Sequence, residues 1–364
     1  MKTPNNKYEA LEIKETISLC SPNGNLNREA IGWARKPLFI PNLKNHFLRK
    51  KLWNYWCVTG PEGMFSITIS DVDYAGLAFV YYLDYSTGIF QEATEMIAFP
   101  LGKSLPQSIS DNASFETPNV KVDFQNFEGG TEVRLNVLWK NFHGKKLNAE
   151  FIISYPPNHD TLNVVVPWSD SKFQYTSKQN CLPARGFVQI EPIDDSSKQN
   201  NNTQTIGEIK PFRLEFKTED SFACADYGRG VWPYSISWNW GSFSTRAGSD
   251  TIGLNMGGQW TDGTGISENG YVINGNLTKI TEPLQWIYDK KNYKNKWIMK
   301  TLESDSIELE FEPFYVRRAL SNFIVIFSEV FQCFGRYNGV IRTKTQNYKI
   351  ENVIGWAEDH KARW

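Results

Sequence analysis

One carboxylate, one guanidinium and three aromatic rings share the stretch ADYGRGVWPY, residues 225–234, as Asp226, Arg229, Tyr227, Trp232 and Tyr234. A carboxyl held against indole rings loses solvation, its charged form is disfavoured and its pKa rises, which suits a general acid at neutral pH. Indole faces beside it can stabilise a developing cation through their π quadrupoles. Similar surroundings recur in WTDGTGISENG (260–270), which carries Trp260, Asp262 and Glu268, and in GLNMGGQW (253–260), which carries Asn255. Asp71 and Asp73 form a third acidic cluster in SDVDYAG, and Glu329 interrupts the apolar run IVIFSEVF with Arg336 a few residues on.

The chemical reading makes Asp226 a proton donor, with Glu268 or Asp262 as the second carboxyl. Tyr227, Trp232, Tyr234 and Trp260 line an apolar pocket, Arg229 sets the charge of the carboxyl, and Asn255 and Glu329 contact the ligand. A plainer reading stands beside it. TDG and ENG are ordinary turn chemistry, Arg229 can pair with Asp226, and Arg336 can pair with Glu329. Trp238 and Trp240, two apart in SISWNW, share one face of a strand and read as core.

Strands must position these groups. Alternation of period two recurs along the chain: VRLNVLW (133–139) puts Val133, Leu135, Val137 and Trp139 on one face, and IELEFEPF (307–314) sets Ile307, Leu309 and Phe311 against Glu308, Glu310 and Glu312. Turn signals such as EGG (128–130), YPPN (155–158), TDGTG (261–265) and ING (273–275) punctuate the runs. No long segment has a helical period; FQEATEMIA (90–98) fits a short helix or a strand. The glycine clusters YGRGVW and GLNMGGQW read as bulges or tight turns between strands. PIDDSSKQNNNTQTIGE (192–208) is polar enough to act as a mobile linker. The expected fold is mainly β: two antiparallel barrels or sandwiches, residues 1–191 and 209–364, joined by 192–208.

Composition narrows the function classes. The 364 residues carry a formal charge of -1, which gives no electrostatic case for nucleic acid or an anionic membrane surface. No apolar run is long enough for a spanning helix, and the first residues lack the apolar core of a signal peptide, so the expected address is cytoplasmic. Five cysteines without a CxxC pair read as buried thiols. Four histidines without HExxH or HxH spacing predict no metal site, and no dinucleotide or phosphate loop predicts a cofactor. Aromatic residues reach 14%, with 13 Trp, which suits a β protein built around large rings and a hydrophobic small-molecule ligand.

As a set, GWARKPL (32–38), KLWNYWCVTGPEG (51–63), SITISDVDYAGLAFVYYLD (66–84), FQYTSKQNCLPARG (173–186), ADYGRGVWPYSISWNW (225–240), GLNMGGQWTDGTGISENG (253–270) and EVFQCFGRYNG (329–339) resemble the DUF2804 family over nearly the whole chain. That family in turn is similar to the lipocalin-like, two-barrel group of hydroxyneurosporene synthase (carotenoid 1,2-hydratase) and AttH-like proteins. The resemblance implies paired calycin-like barrels and cofactor-independent, acid-initiated hydration, isomerisation or cyclisation of an isoprenoid or polyunsaturated substrate. Asp226 with Tyr227, Trp232 and Trp260 would be the equivalent acid and rings. A non-catalytic lipid or terpenoid carrier is the second expectation, and a carbohydrate-binding or glycoside-active protein the third.

Overall fold

Alternating apolar residues form strands almost everywhere in the computed structural model, which describes residues 10–98, 108–127, 129–193, 212–322 and 327–363. Val133, Leu135, Val137 and Trp139 are buried with Arg134 exposed between them, and Ile307, Leu309 and Phe311 are buried with Glu308, Glu310 and Glu312 exposed. Residues 90–98, readable as helix or strand, form the strand Phe90–Ala98, which pairs with Ala75–Asp84. The chain is mainly β, built of curled antiparallel sheets, as the patterning predicts.

The described chain divides into two compact units that alternate along the sequence. One comprises Met1–Leu52, Asn158–Cys181 and Cys224–Trp364; the other comprises Trp53–Pro157 and Leu182–Ala223. A single boundary at 192–208 is therefore not how the contacts divide, and residues 194–208 of that stretch lie outside the described residues.

The first unit holds a nine-stranded antiparallel sheet. Its order is Asn276–Ile280, Asn269–Ile273, Asp250–Gly258, Ser235–Ala247, Asn347–Arg363, Phe327–Arg342, Ile307–Asn322, Trp297–Thr301 and Leu284–Ile287. One face of this sheet closes on Phe243, Leu254, Met256, Trp297, Phe311 and Tyr337. The same unit contains Gly32–Ala34 paired to Leu162–Ser169, which pairs in turn with the first half of the long strand Lys172–Pro192. Phe222–Val231 is hydrogen-bonded alongside that long strand.

In the second unit, Phe90–Ala98, Ala75–Asp84 and Gly63–Asp71 lie side by side. Ala113–Glu116, Val120–Asn126, Glu132–Phe142, Lys145–Ser154, the second half of Lys172–Pro192 and Phe212–Phe216 form the other run. Phe65 stacks on Phe151 at 5.4 Å and Tyr82 on Phe212 at 5.1 Å between ring centres.

The glycine clusters differ from expectation. Gly228 and Gly230 lie inside Phe222–Val231, and Gly257 and Gly258 inside Asp250–Gly258, rather than in turns. Close approach explains two of them: a Cβ at Gly230 would collide with the Phe173 carbonyl and Gln174, and one at Gly257 with the Glu268 carboxyl.

Candidate active site

Lys178 organises the site. It lies in Lys172–Pro192 on the same face as Gln174, Thr176 and Asn180, and all four side chains are buried. A lysine is buried only with partners. Its Nζ lies 2.8 Å from Asp226 Oδ2 and 3.2 Å from Glu268 Oε2. It also stands 4.3 Å above the centre of the Trp240 ring.

Each partner is fixed in turn. Asp226, in the neighbouring strand, accepts a 3.0 Å hydrogen bond from Thr176 Oγ1 on its other oxygen. Glu268, just before Asn269–Ile273, accepts from Trp260 Nε1 at 2.6 Å through Oε1. Asn255 accepts from Trp240 Nε1 at 2.8 Å and donates to the Glu268 carbonyl at 2.6 Å, so one amide aligns both groups. Glu268 Oε2 is buried against the Lys178 ammonium at 3.2 Å, farther from it than Asp226 Oδ2 at 2.8 Å.

The electrostatics follow from this geometry. Burial alone would lower Lys178, but the adjacent Asp226 and Glu268 carboxylates outweigh it and hold the ammonium above its ordinary 10.5. Burial raises Glu268, the Asp226 charge adds to the rise, and Lys178 and the Trp260 N–H oppose it without cancelling it. Two buried carboxylates share one buried cation, and Glu268 is the member whose environment favours keeping a proton.

Four indoles border the cluster. Trp168, Trp232 and Trp260 have ring centres 5.0 to 5.8 Å apart, and Trp238 meets Trp232 edge-on at 5.5 Å. Their N–H groups are anchored on Gln174 Oε1, the Trp260 carbonyl, Glu268 Oε1 and Glu358 Oε1. Trp168 and Trp238 are half-buried, whereas Trp232 and Trp260 are buried.

Of the residues singled out in the sequence, Asp226, Glu268, Trp232, Trp260 and Asn255 come together here. Tyr227 and Arg229 sit at odd offsets from Asp226 in one strand, so they point to its other face. Tyr227 is buried with its ring 6.0 Å from Tyr175. Tyr234 is exposed just beyond the strand. Asp262 stands on an exposed turn whose backbone N–H donates to the Gln259 carbonyl. Glu329 pairs with Arg318 at 2.7 Å, while Arg336 donates to the Asn352 carbonyl. Asp71 accepts from the backbone N–H of Asp73 within its own turn.

Sequence reasoning missed Lys178, Thr176, Trp168 and Glu358, and assigned Trp238 and Trp240 to packing alone. Residues 176–180, TSKQN, are an unbroken polar run, so alternation does not single out Lys178 there.

Among the described residues, no group of three or more His, Cys, Asp or Glu is placed to hold a metal, and no helix is long and apolar enough to cross a membrane. All five cysteines are buried and free. Two clefts of about 560 and 710 Å³ open in the second unit, one lined by residues including Arg134, Glu150 and Arg185 and the other by residues including Lys146, Gln189 and Phe212, and none of the site residues above borders either.

Comparison with known proteins matches residues 10–364 to the family model DUF2804, described as a domain of unknown function. No curated protein sequence matches the chain. Solved structures with similar coordinates include an AttH-like protein of Nitrosomonas europaea, 11% identical at a TM-score of 0.48, with 87% of this chain and 93% of that one covered. Kievitone hydratase of Nectria haematococca is 10% identical at 0.42, covering 88% and 90%. CghA, solved with Sch210972, is 9% identical at 0.40, covering 89% and 93%.

Proposed function

The chain belongs to the DUF2804 family, and we propose that it binds an apolar, unsaturated small molecule against the indoles of the first unit and performs acid–base chemistry on it without a cofactor. The observation that carries this reading is the buried imbalance of charge. One ammonium serves two carboxylates, and the buried Glu268 Oε2 has no described partner but that shared ammonium, which stands closer to Asp226. Burial and the Asp226 charge favour the protonated form of Glu268 more than Lys178 and the Trp260 N–H oppose it, which supports an exchangeable proton there.

Within this reading Glu268 supplies a proton. Asp226, which holds Lys178 through one oxygen and the Thr176 hydroxyl through the other, serves as acceptor rather than as the donor expected from sequence. Proton delivery to a double bond leaves a cation, which the indole faces and the net negative cluster stabilise. Hydration, double-bond isomerisation and cyclisation all begin with that step.

An apolar extract of the source cells incubated with wild-type protein, and with Glu268→Gln and Asp226→Asn, tests it by mass spectrometry. The expected outcome is a product formed by wild type and reduced about 10²-fold or more in both variants. A compound that co-purifies with the protein and is recovered unchanged refutes the chemistry and favours a carrier. That second reading draws support from Asp226, whose two oxygens are both satisfied as in a purely structural bridge.

A further inference from the structure

A further carboxyl borders the same indoles. Glu358 is buried in Asn347–Arg363, directly opposite Trp240 on one neighbouring strand and Gln332 on the other. Residues directly opposite on paired strands share a face, so Glu358 and Trp240, over which Lys178 sits, are neighbours. Its Oε1 accepts the Trp238 N–H at 2.9 Å, and Trp238 is the half-buried indole at the edge of the group. His360, two residues on and therefore on the same face, packs under the Trp238 ring at 3.9 Å.

We infer that Glu358 is a second proton-donating carboxyl of this site, delivering to a ligand at the Trp238 end of the indoles. The inference rests on the acid–base reading proposed above and assigns it a further acid. Glu358 has no cation within ion-pair distance among the described residues, whereas Lys178 lies within reach of both Asp226 and Glu268. The groups that set its charge come from several strands around it. Burial favours its neutral form and Asp226 adds to this, while the Trp238 N–H, Lys178 and Arg317 favour the carboxylate. The balance leaves Glu358 near 7, where an acid can both give and recover a proton at neutral pH. Burial and Arg317 push His360 well down, so its imidazole stays neutral and does not compete for that proton.

The step balances without a cofactor. The Glu358 O–H bond breaks, the π pair of a C=C bond forms the new C–H bond, and the adjacent carbon becomes cationic. Water adds to that carbon and returns a proton to the Glu358 carboxylate, so the net change is addition of water across the double bond.

Two measurements test the inference. Difference infrared titration of wild type against Glu358→Gln should show a protonated carboxyl band lost as the pH rises through about 7. Trp238→Phe, which removes the stabilising N–H, should move that midpoint upward. No such band at about pH 5.5, well below that midpoint, overturns the assignment. In the second measurement, the apolar extract is incubated in D₂O and products are scored for carbon-bound deuterium. Wild type should incorporate label and Glu358→Gln should lose it by about 10²-fold or more. Full incorporation by Glu358→Gln alongside loss in Glu268→Gln overturns the role of Glu358 and leaves the acid–base reading intact. No incorporation by wild type overturns that reading and this inference with it.

Discussion

Lys178→Met is the most informative single substitution, because it removes the cation from a cluster that is otherwise anionic. The lysine side chain is 5% exposed, and its partners Asp226 and Glu268 are 11% and 2% exposed, so little water screens the loss. Breaking a buried ion pair by deleting one partner costs about 3–5 kcal/mol. The methionine keeps most of the apolar contact with Trp240, so the change is chiefly electrostatic. A destabilisation of about 4 kcal/mol near pH 7 is expected. It should grow with pH. In wild type the Lys178 pKa is raised, so its contribution is fully present below 10.5 and does not change across the neutral range. Without the ammonium, the folded-state pKa of Glu268, already raised by burial, moves further above its unfolded value. The folded state then binds extra protons, and stability falls as pH rises through the range between those values. Urea unfolding followed by tryptophan fluorescence, at about pH 5 and about pH 8, measures the difference directly. Adding Asp226→Asn and Glu268→Gln to Lys178→Met should recover most of the loss, since neither carboxylate is then left without its counter-charge. A Lys178→Met protein within about 0.5 kcal/mol of wild type at the higher pH refutes the reasoning. So does a deficit that is the same at both pH values.

Gly257→Ala places a Cβ against the Glu268 carboxyl. It should cost about 1–3 kcal/mol by overpacking, read as a lowered urea midpoint, and should reduce any Glu268-dependent turnover together with it. A neutral effect on both would mean that Glu268 moves freely. Burial pushes Cys181, Cys224 and Cys333 up to about 12 and Cys20 up to about 11. A disulfide-exchange reagent at about pH 8 should therefore label none of these thiols in the folded protein and all of them after denaturation; rapid labelling of any one before unfolding contradicts the burial.

Alternation carried most of what the sequence revealed. Strands at 133–139 and 307–314, and the mainly β class, follow from period two because one face of each strand is wet and the other dry. The site was half legible. Asp226, Glu268, Trp232 and Trp260 were recognisable as acids and rings in unusual company, yet their cation was not. Lys178 lies far along the chain from both carboxylates, and nothing local to FQYTSKQNCLPARG says that a lysine there is buried. Strand pairing and the packing of the nine-stranded sheet bring the three together, and these are decided over long sequence separations.

One error was avoidable on local grounds. Asp226 and Arg229 were weighed as an ion pair, but an odd offset in a strand sends two side chains to opposite faces. The same rule pairs Asp226 with Gly228 and Gly230 on its own face, where small residues admit Gln174 and the rings beyond it. It also puts Trp238 on the face of Trp240, and Glu358 on the face of His360. Pairing of those two strands then sets Glu358 opposite Trp240 and His360 opposite Trp238, which composition alone cannot do. SISWNW therefore has two functions rather than one. Asn239 and Gly241 turn toward the core of the nine-stranded sheet, where Gly241 meets Tyr337 and Met256. Trp238 and Trp240 present indoles to the other side, one holding a carboxyl through its N–H and one lying beneath an ammonium. A tryptophan whose N–H and face both engage charged groups is positioned by electrostatics as much as by packing. That distinction separates the indoles of the site from Trp297, which is completely buried in the core cluster of the same sheet.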